Sequence, residues 1–473
     1  MPLAEFPVPQ TAMPKRNLFV LLMMIAVAGV SWLARDRAGH GRRFAEVLGA
    51  IERSYLDPVD QQGLFDAAMQ GVFSRLDEHS AFVAGDQRDR LESLLDQEFG
   101  GVGLELDGSD RRVGIIVVSP VLGSPAWHAG IAAGDRILAI DGVSTSLMTL
   151  EEVFRRLRGR PGTSVLLSIG SAVADPSGED APARDVALLR EVIKTESVVG
   201  DRRRSDGSWE WTIEGEPAAA IIRITTFGER TADEVRRAVE AIASRRSAAE
   251  PEAGSDRNPE AALILDLRGN AGGLLSAAVE VCDIFLDDGV IVSTKGRGVH
   301  DAGAAGDDAA ALDVRRATRG AALADLPMAV LIDGLTASAA EVVAACLQDH
   351  GRAIVVGSRS FGKGTVQSIM PLSDGSGVVK LTTSEYLRPS RVNIHRRNDE
   401  ESDSTWGVSP DRGYEITPTG RQIESFQAWR QMRDVVPAKG GLAATPQPPS
   451  LAVLPRRVDP VLATALDALG ERD

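Results

Sequence analysis

The apolar run Met328–Ile332 ends in Asp333-Gly334. A helical pattern with Val342, Val343, Ala345, Cys346 and Leu347 follows, then a second apolar run at residues 353–356. Apolar runs this short read as buried strands. Strand, turn, helix and strand in that order commit the chain to an α/β sheet with layered helices. Strand-like runs at residues 221–227, 263–267 and 290–293, and helical patterns at 231–244 and 274–285, extend the alternation.

The same unit carries residue types suited to chemistry. Ser338 falls in the first turn of the helical segment, where backbone N–H groups lack intrahelical partners and the helix dipole favours negative charge. An oxyanion formed by attack of Ser338 on an acyl group would meet such donors, the Ala339 N–H first; one well-placed donor is worth roughly 3 kcal/mol of barrier. A plain helix N-cap is the alternative for Ser338 or Thr336. Lys363 follows Ser338 by 25 residues, between two glycines. A free lysine, with a pKa of about 10.4, is charged at neutral pH. Burial disfavours that charge, and Phe361, Val366 and Ile369 can supply an apolar wall. If residues 363–367 are extended, Gln367 shares a face with Lys363 and can orient its amine. A surface lysine in a glycine turn is the alternative. A serine activated by a lysine points to hydrolysis of a peptide bond by a two-residue dyad.

These residues resemble the carboxyl-terminal processing proteases, tail-specific serine–lysine peptidases. Asp333-Gly-Leu-Thr336-Ala337-Ser338-Ala339-Ala340-Glu341 is similar to the family's Asn-x-x-Ser-Ala-Ser-Ala-Ser-Glu, and Phe361-Gly-Lys363-Gly-Thr-Val-Gln367 matches Phe-Gly-Lys-Gly-x-x-Gln. Leu265-Asp266-Leu-Arg268-Gly-Asn270-Ala-Gly272-Gly273 resembles a third motif, Asp-Leu-Arg-x-Asn-x-Gly-Gly. The resemblance spans roughly residues 44–414. It implies Ser338 as nucleophile, Lys363 as general base, Gln367 as its orienter, and an oxyanion hole from Ala339 and Gly272, with Gly273 the second choice of glycine. Asp333, Thr336 and Ala340 depart from the family pattern without removing a dyad member.

Gly100-Gly101-Val102-Gly103-Leu104 opens a β-rich stretch that continues through Ser124-Pro-Ala126, Ala129-Gly-Ile131, Gly134-Asp135-Arg-Ile-Leu and Asp141-Gly142. This resembles a PDZ domain. The resemblance implies that a substrate C-terminus adds as a strand while the N–H groups of Gly101, Val102, Gly103 and Leu104 hold its carboxylate. The expected ligand is a protein or peptide with an apolar C-terminus.

Length and composition bound the rest. The 473 residues suffice for two or three domains, and the net charge of −15 argues against nucleic acid as a partner. Cys282 and Cys346 lie in apolar helical patterns and read as two buried thiols; six scattered histidines and no zinc spacing give no metal site. No cofactor is required. Lys15-Arg16 precede an 18-residue apolar run, residues 17–34, which reads as a membrane anchor, with a cleaved signal as the alternative around Ala26-Val-Ala28.

The expected organisation is a cytoplasmic N-terminus at 1–16, the anchor at 17–34 and a helical region at 41–98. A PDZ domain at 99–190, a crotonase-like or ClpP-like α/β peptidase core at 191–430 and a Pro/Ala-rich tail at 431–473 complete it. The catalytic domains are expected in the periplasm or an equivalent extracytoplasmic space. An adaptor or activator, and self-association, are compatible partners. The rival readings are a catalytically impaired PDZ scaffold and an acyl-CoA enzyme of the crotonase type.

Overall fold

The computed structural model describes residue 23 and residues 39–84, 96–109, 114–171, 183–248, 261–296, 312–318, 320–396, 406–437 and 455–470. The chain forms two compact units, Met1–Phe82 and Val83–Asp473. In the first, helices α1 (Gly39–Ser54) and α2 (Gln61–Phe73) occupy the expected helical region, and Asp60 caps α2 by accepting the Gln62 N–H at 3.1 Å. The anchor expected at residues 17–34 lies outside the described residues apart from Met23. Among the described residues no helix is long and apolar enough to cross a membrane.

The second unit begins with a β-rich module. Its strands are β1 (Glu98–Gly101), β2 (Leu104–Asp107), β3 (Ile115–Pro120), β4 (Arg136–Ile140), β5 (Ser164–Gly170), β6 (Arg184–Leu189) and β7 (Glu191–Lys194); β2 shows the plainest alternation, with Leu104 and Leu106 buried and Glu105 and Asp107 exposed. One sheet runs in the order β2-β3-β4-β5-β6, and a separate ribbon pairs β1 with β7. Helix α3 (Leu150–Leu157) starts at a capping box: Thr149 Oγ1 accepts the Glu152 N–H, and Glu152 Oε2 accepts the Thr149 N–H at 2.8 Å. Val153 and Leu157 of this helix pack with Val117, Ile137, Ile140, Leu167 and Ile169 in one core.

The remainder is a three-layer α/β assembly. Strands β8 (Val198–Val199), β9 (Glu216–Ile224), β10 (Ala262–Asp266), β13 (Met328–Ile332) and β14 (Ile354–Gly357) lie in that spatial order; β9, β10, β13 and β14 are parallel. Helices α4 (Thr231–Ala248), α5 (Leu275–Phe285) and α6 (Ala339–Asp349) connect them. Alternate side chains of each strand face opposite ways. Met328, Val330 and Ile332 thus pack with Ile242, Phe285 and Val343 on the helical side, while Ala329 and Leu331 join Ile221, Ile264 and Val356 on the other.

That other face is covered by a segment that composition marks as tail. Helix α8 (Pro460–Gly470), in the place where residues 460–469 read as a short helix, seats Val461, Leu462, Ala465, Ala468 and Leu469 against it at helical spacing. Ahead of it, α7 (Gly420–Asp434) leads to Val436 and Pro437. These fasten the β-rich module to the core: the Val436 N–H donates to Ser119 Oγ at 3.0 Å and Trp127 Nε1 to the Pro437 carbonyl at 2.9 Å.

A second, antiparallel group differs from the sequence reading. Strand β11 (Val290–Gly296) does not join the parallel sheet; it pairs with β12 (Leu312–Arg316) and with β16 (Gly377–Leu387), which forms a hairpin with β15 (Thr365–Pro371). β12 falls inside residues 297–319, whose polar composition alone reads as a loop. Its exposed Asp313, Arg315 and Arg316 are charges that suit an edge strand and obscure it in sequence.

Candidate active site

The turn after β13 is built by its own side chains. Asp333 Oδ1 accepts the N–H groups of Gly269, Leu335 and Thr336, each at 3.0 Å, and Thr336 Oγ1 donates to the Leu267 carbonyl at 3.0 Å. Both residues depart from the family pattern, and both do structural work with a single acceptor oxygen or hydroxyl. Ala340, the third departure, is buried in the helical core.

This turn delivers Ser338 to the head of α6 with φ 56° and ψ −119°. An N-cap serine takes β-region dihedrals, so helix capping alone does not explain this conformation. A non-glycine residue held at positive φ is strained, and a sharp strand–turn–helix junction is how a serine is projected as a nucleophile beside the N–H of the next residue. Ala339, that next residue, is the first of α6.

The glycine loop after β10 lies directly against it. A Cβ built on Gly272, at φ 102°, would stand 2.8 Å from Ser338 Cβ and 3.0 Å from the Ala339 nitrogen. The Gly272 N–H, expected to face an oxyanion, donates to Asn270 Oδ1 at 2.8 Å. The Gly272 carbonyl accepts the Phe227 N–H at 2.9 Å, and the Leu274 N–H goes to the Phe227 carbonyl at 2.7 Å. This parallel bridge turns the Gly273 N–H to the side away from Phe227. Gly272→Ala should therefore fold with a displaced serine and lose about 10²-fold in any catalysis that uses Ser338; an alanine variant with undiminished kcat would show that the contact with Ser338 carries no weight.

The loop is clamped from below. Arg268 donates to both oxygens of Asp266 and to both of Asp459, at 2.7–2.9 Å. Burial pushes the Asp266 carboxyl up, but the Arg268 guanidinium outweighs it and holds the group below its ordinary range. Asp459 also caps α8, accepting the Val461 and Leu462 N–H groups at 3.1 and 3.0 Å, so the tail helix reaches the glycine loop through one ion pair.

Lys363 is half-buried in the loop before β15. Both flanking glycines are in close contact: a Cβ on Gly362 would meet Arg396 Cβ at 2.9 Å, and one on Gly364 would meet Asn393 Oδ1 at 2.5 Å. The Phe361 N–H donates to the Thr336 carbonyl at 2.9 Å, tying this loop to the serine turn. Gln367 shares the hairpin with Lys363, but its amide nitrogen is engaged by the hydroxyls of Thr365 at 2.9 Å and Thr382 at 3.2 Å. That bonding holds the hairpin together. His350 sits at the far end of α6, with Nε2 2.8 Å from the Val290 carbonyl.

Sequence reasoning quoted Glu341 in a motif without giving it a role. Buried in the first turn of α6, it joins the two loops. Its Oε1 accepts the Ser360 hydroxyl at 2.5 Å and the Gly362 N–H at 2.7 Å; its Oε2 accepts the Ser338 and Lys363 N–H groups, each at 2.8 Å. The signal in the sequence was the Ser-x-x-Glu spacing of a capping box; the reach to Lys363 was not visible there. Burial raises the Glu341 carboxyl above its ordinary 4.5, against the lowering effect of these donors.

In the β-rich module, Gly101, Val102, Gly103 and Leu104 line a cavity of about 40 Å³ with Phe99, Phe154, Leu157 and Arg158. Gly103 has φ 77°, and a Cβ there would stand 2.3 Å from Ser124 Cβ. β2 is the edge strand of its sheet, and among the described residues no strand covers its outer side. The loop, α3 and the open edge therefore frame a groove of the form that accepts an added strand.

Comparison with known proteins agrees with this architecture. The model of peptidase family S41 matches residues 218–412, and a PDZ domain model matches residues 116–169. The chain is 32% identical over 420 residues to a carboxy-terminal-processing protease of Bartonella bacilliformis, covering 86% of this chain and 84% of that one. It is 31% identical over 345 residues to the carboxyl-terminal-processing protease of a Picosynechococcus species, covering 73% and 71%. A solved photosystem II D1 C-terminal processing protease aligns at 27% identity and a TM-score of 0.39, over 79% of this chain and 92% of that one. The chain belongs to peptidase family S41, as a PDZ-containing serine protease of the carboxy-terminal processing type.

Proposed function

We propose that the protein is an endopeptidase that captures an apolar substrate C-terminus in its PDZ groove and cleaves the chain with a Ser338–Lys363 dyad. The observation that carries this reading is the single Glu341 oxygen accepting the N–H groups of both residues, which draws the two loops to one point. In the proposed reaction neutral Lys363 takes the hydroxyl proton as Ser338 Oγ attacks the scissile carbonyl, then returns it to the leaving amine. Water, activated by the same amine, releases the acyl group. The Ala339 N–H is one oxyanion donor, at the positive end of α6. The Gly273 N–H is the second, replacing Gly272. Gln367 supports the lysine through the hairpin it braces.

Leu104 and Leu106 of the open edge are buried, and the cavity beside them is walled by Phe99, Phe154 and Leu157. Such walls favour an apolar last residue, with the glycine-loop amides left for its carboxylate. The apolar run at residues 17–34, with basic residues before it, supports an exported, anchored location as part of the same proposal.

An unfolded protein with an apolar C-terminus tests the capture step. Amidating that terminus removes the charge that the loop amides would bind and should lower kcat/KM about tenfold, equivalent to roughly 1.4 kcal/mol. A short peptide that does not reach the groove should be indifferent to the same change. Equal cleavage of the free and amidated proteins would contradict the assignment of the groove.

A further inference from the structure

Tyr386 lies on β16, opposite Thr294 of β11, and is 2% exposed. Its backbone N–H donates to the Gly364 carbonyl at 3.0 Å. Its hydroxyl donates to the Lys363 carbonyl and lies 3.1 Å from the Ser338 carbonyl. The proposed reaction gives this buried phenol no part, yet it contacts the main chain of both proposed dyad members.

We propose that Tyr386 is a positioning residue, whose hydroxyl fixes the peptide after Lys363 relative to Ser338 and so aims the lysine amine at the serine. The proposal rests on the Ser338–Lys363 reading. Glu341 and Tyr386 divide the task by polarity. The carboxylate holds the N–H groups of Ser338 and Lys363, and the phenol addresses the carbonyls of the same two residues. The Ser338 carbonyl has a second donor in the Val342 N–H, at 3.1 Å. The Lys363 carbonyl accepts the hydroxyl proton. It belongs to a peptide with glycine on its far side and glycine before the lysine, where backbone rotation costs least. A rotation there swings the Lys363 side chain away from Ser338. The hydroxyl keeps its proton at any working pH, because burial, reinforced by the Glu341 charge, pushes it well above the ordinary range for tyrosine.

The test compares the whole protein with Tyr386→Phe and with Thr294→Val, which perturbs the facing strand position and leaves the hydroxyl in place. Tyr386→Phe should lower kcat about 30-fold with KM unchanged, since only the aim of the base is lost. The rising limb of its pH–rate profile should move to higher pH, because a swung-out amine is better hydrated and harder to deprotonate. Thr294→Val should keep kcat and the profile. 4-Aminophenylalanine at position 386 retains a donor in the same place and should restore kcat; it also serves if the phenylalanine variant does not fold. A wild-type kcat and pH profile for Tyr386→Phe would overturn the proposal. So would losses of kcat in Tyr386→Phe and Thr294→Val that merely track their melting temperatures, or an inactive, folded aminophenylalanine variant. Lys363→Ala, measured alongside, separates the two levels: an active Lys363→Ala removes the dyad itself, whereas an inactive one with an unaffected Tyr386→Phe removes only the role of the tyrosine.

Discussion

Glu341→Gln should cost roughly 10²- to 10³-fold in kcat while the protein remains folded. The carboxylate has two oxygens, and each receives two donors: Ser360 and Gly362 on one, Ser338 and Lys363 on the other. Glutamine keeps one oxygen. Its amide nitrogen, a donor, must face the remaining pair, which can then be satisfied only by moving the loops apart. Stability responds differently. Burial raises the Glu341 carboxyl above 4.5. A carboxyl raised on folding contributes fully to stability below its unfolded value and loses that contribution as pH rises through its folded value. The ionised group thus costs the fold some stability at neutral pH, and the neutral glutamine relieves that cost while losing acceptors. Melting temperature should move little against a large fall in kcat. A glutamine variant with near-normal kcat would mean that the two loops hold their positions without the carboxylate.

The parallel sheet and its three helices were legible because both of its faces are buried, so β10, β13 and β14 appear as short apolar runs between helical patterns. The Ser338 turn and the Lys363 loop were legible through their motifs. Other features depend on contacts that no local pattern carries. β12 is a charged edge strand, and α8 reads as a helix while the sheet face it covers, far away in sequence, does not show in its pattern. Asn270 takes the Gly272 amide through a side-chain bond two residues away, invisible to motif matching. Tyr386 carries no functional signature in the sequence, since a tyrosine in a β pattern reads first as packing. Its meaning comes from two carbonyls on other elements.

Lys363→Ala should reduce kcat at neutral pH by about 10³-fold or more, the upper part of the range for a general base. Lys363→Arg should be as inactive, because guanidinium does not deprotonate in the working range and cannot accept the serine proton. The wild-type rate should rise with pH as the amine loses its proton, and that limb should vanish in both variants. Adding Ser338→Ala to Lys363→Ala should cost nothing further, since residues that act as one unit are not additive.

The most direct test of the dyad is cleavage of an unfolded, apolar-tailed protein by the wild type beside Ser338→Ala and Lys363→Ala, each checked for folding. The expected result is cleavage by the wild type and background rates for both variants. Cleavage by Ser338→Ala would place the nucleophile elsewhere, and cleavage by Lys363→Ala at the wild-type rate would remove the lysine as the base.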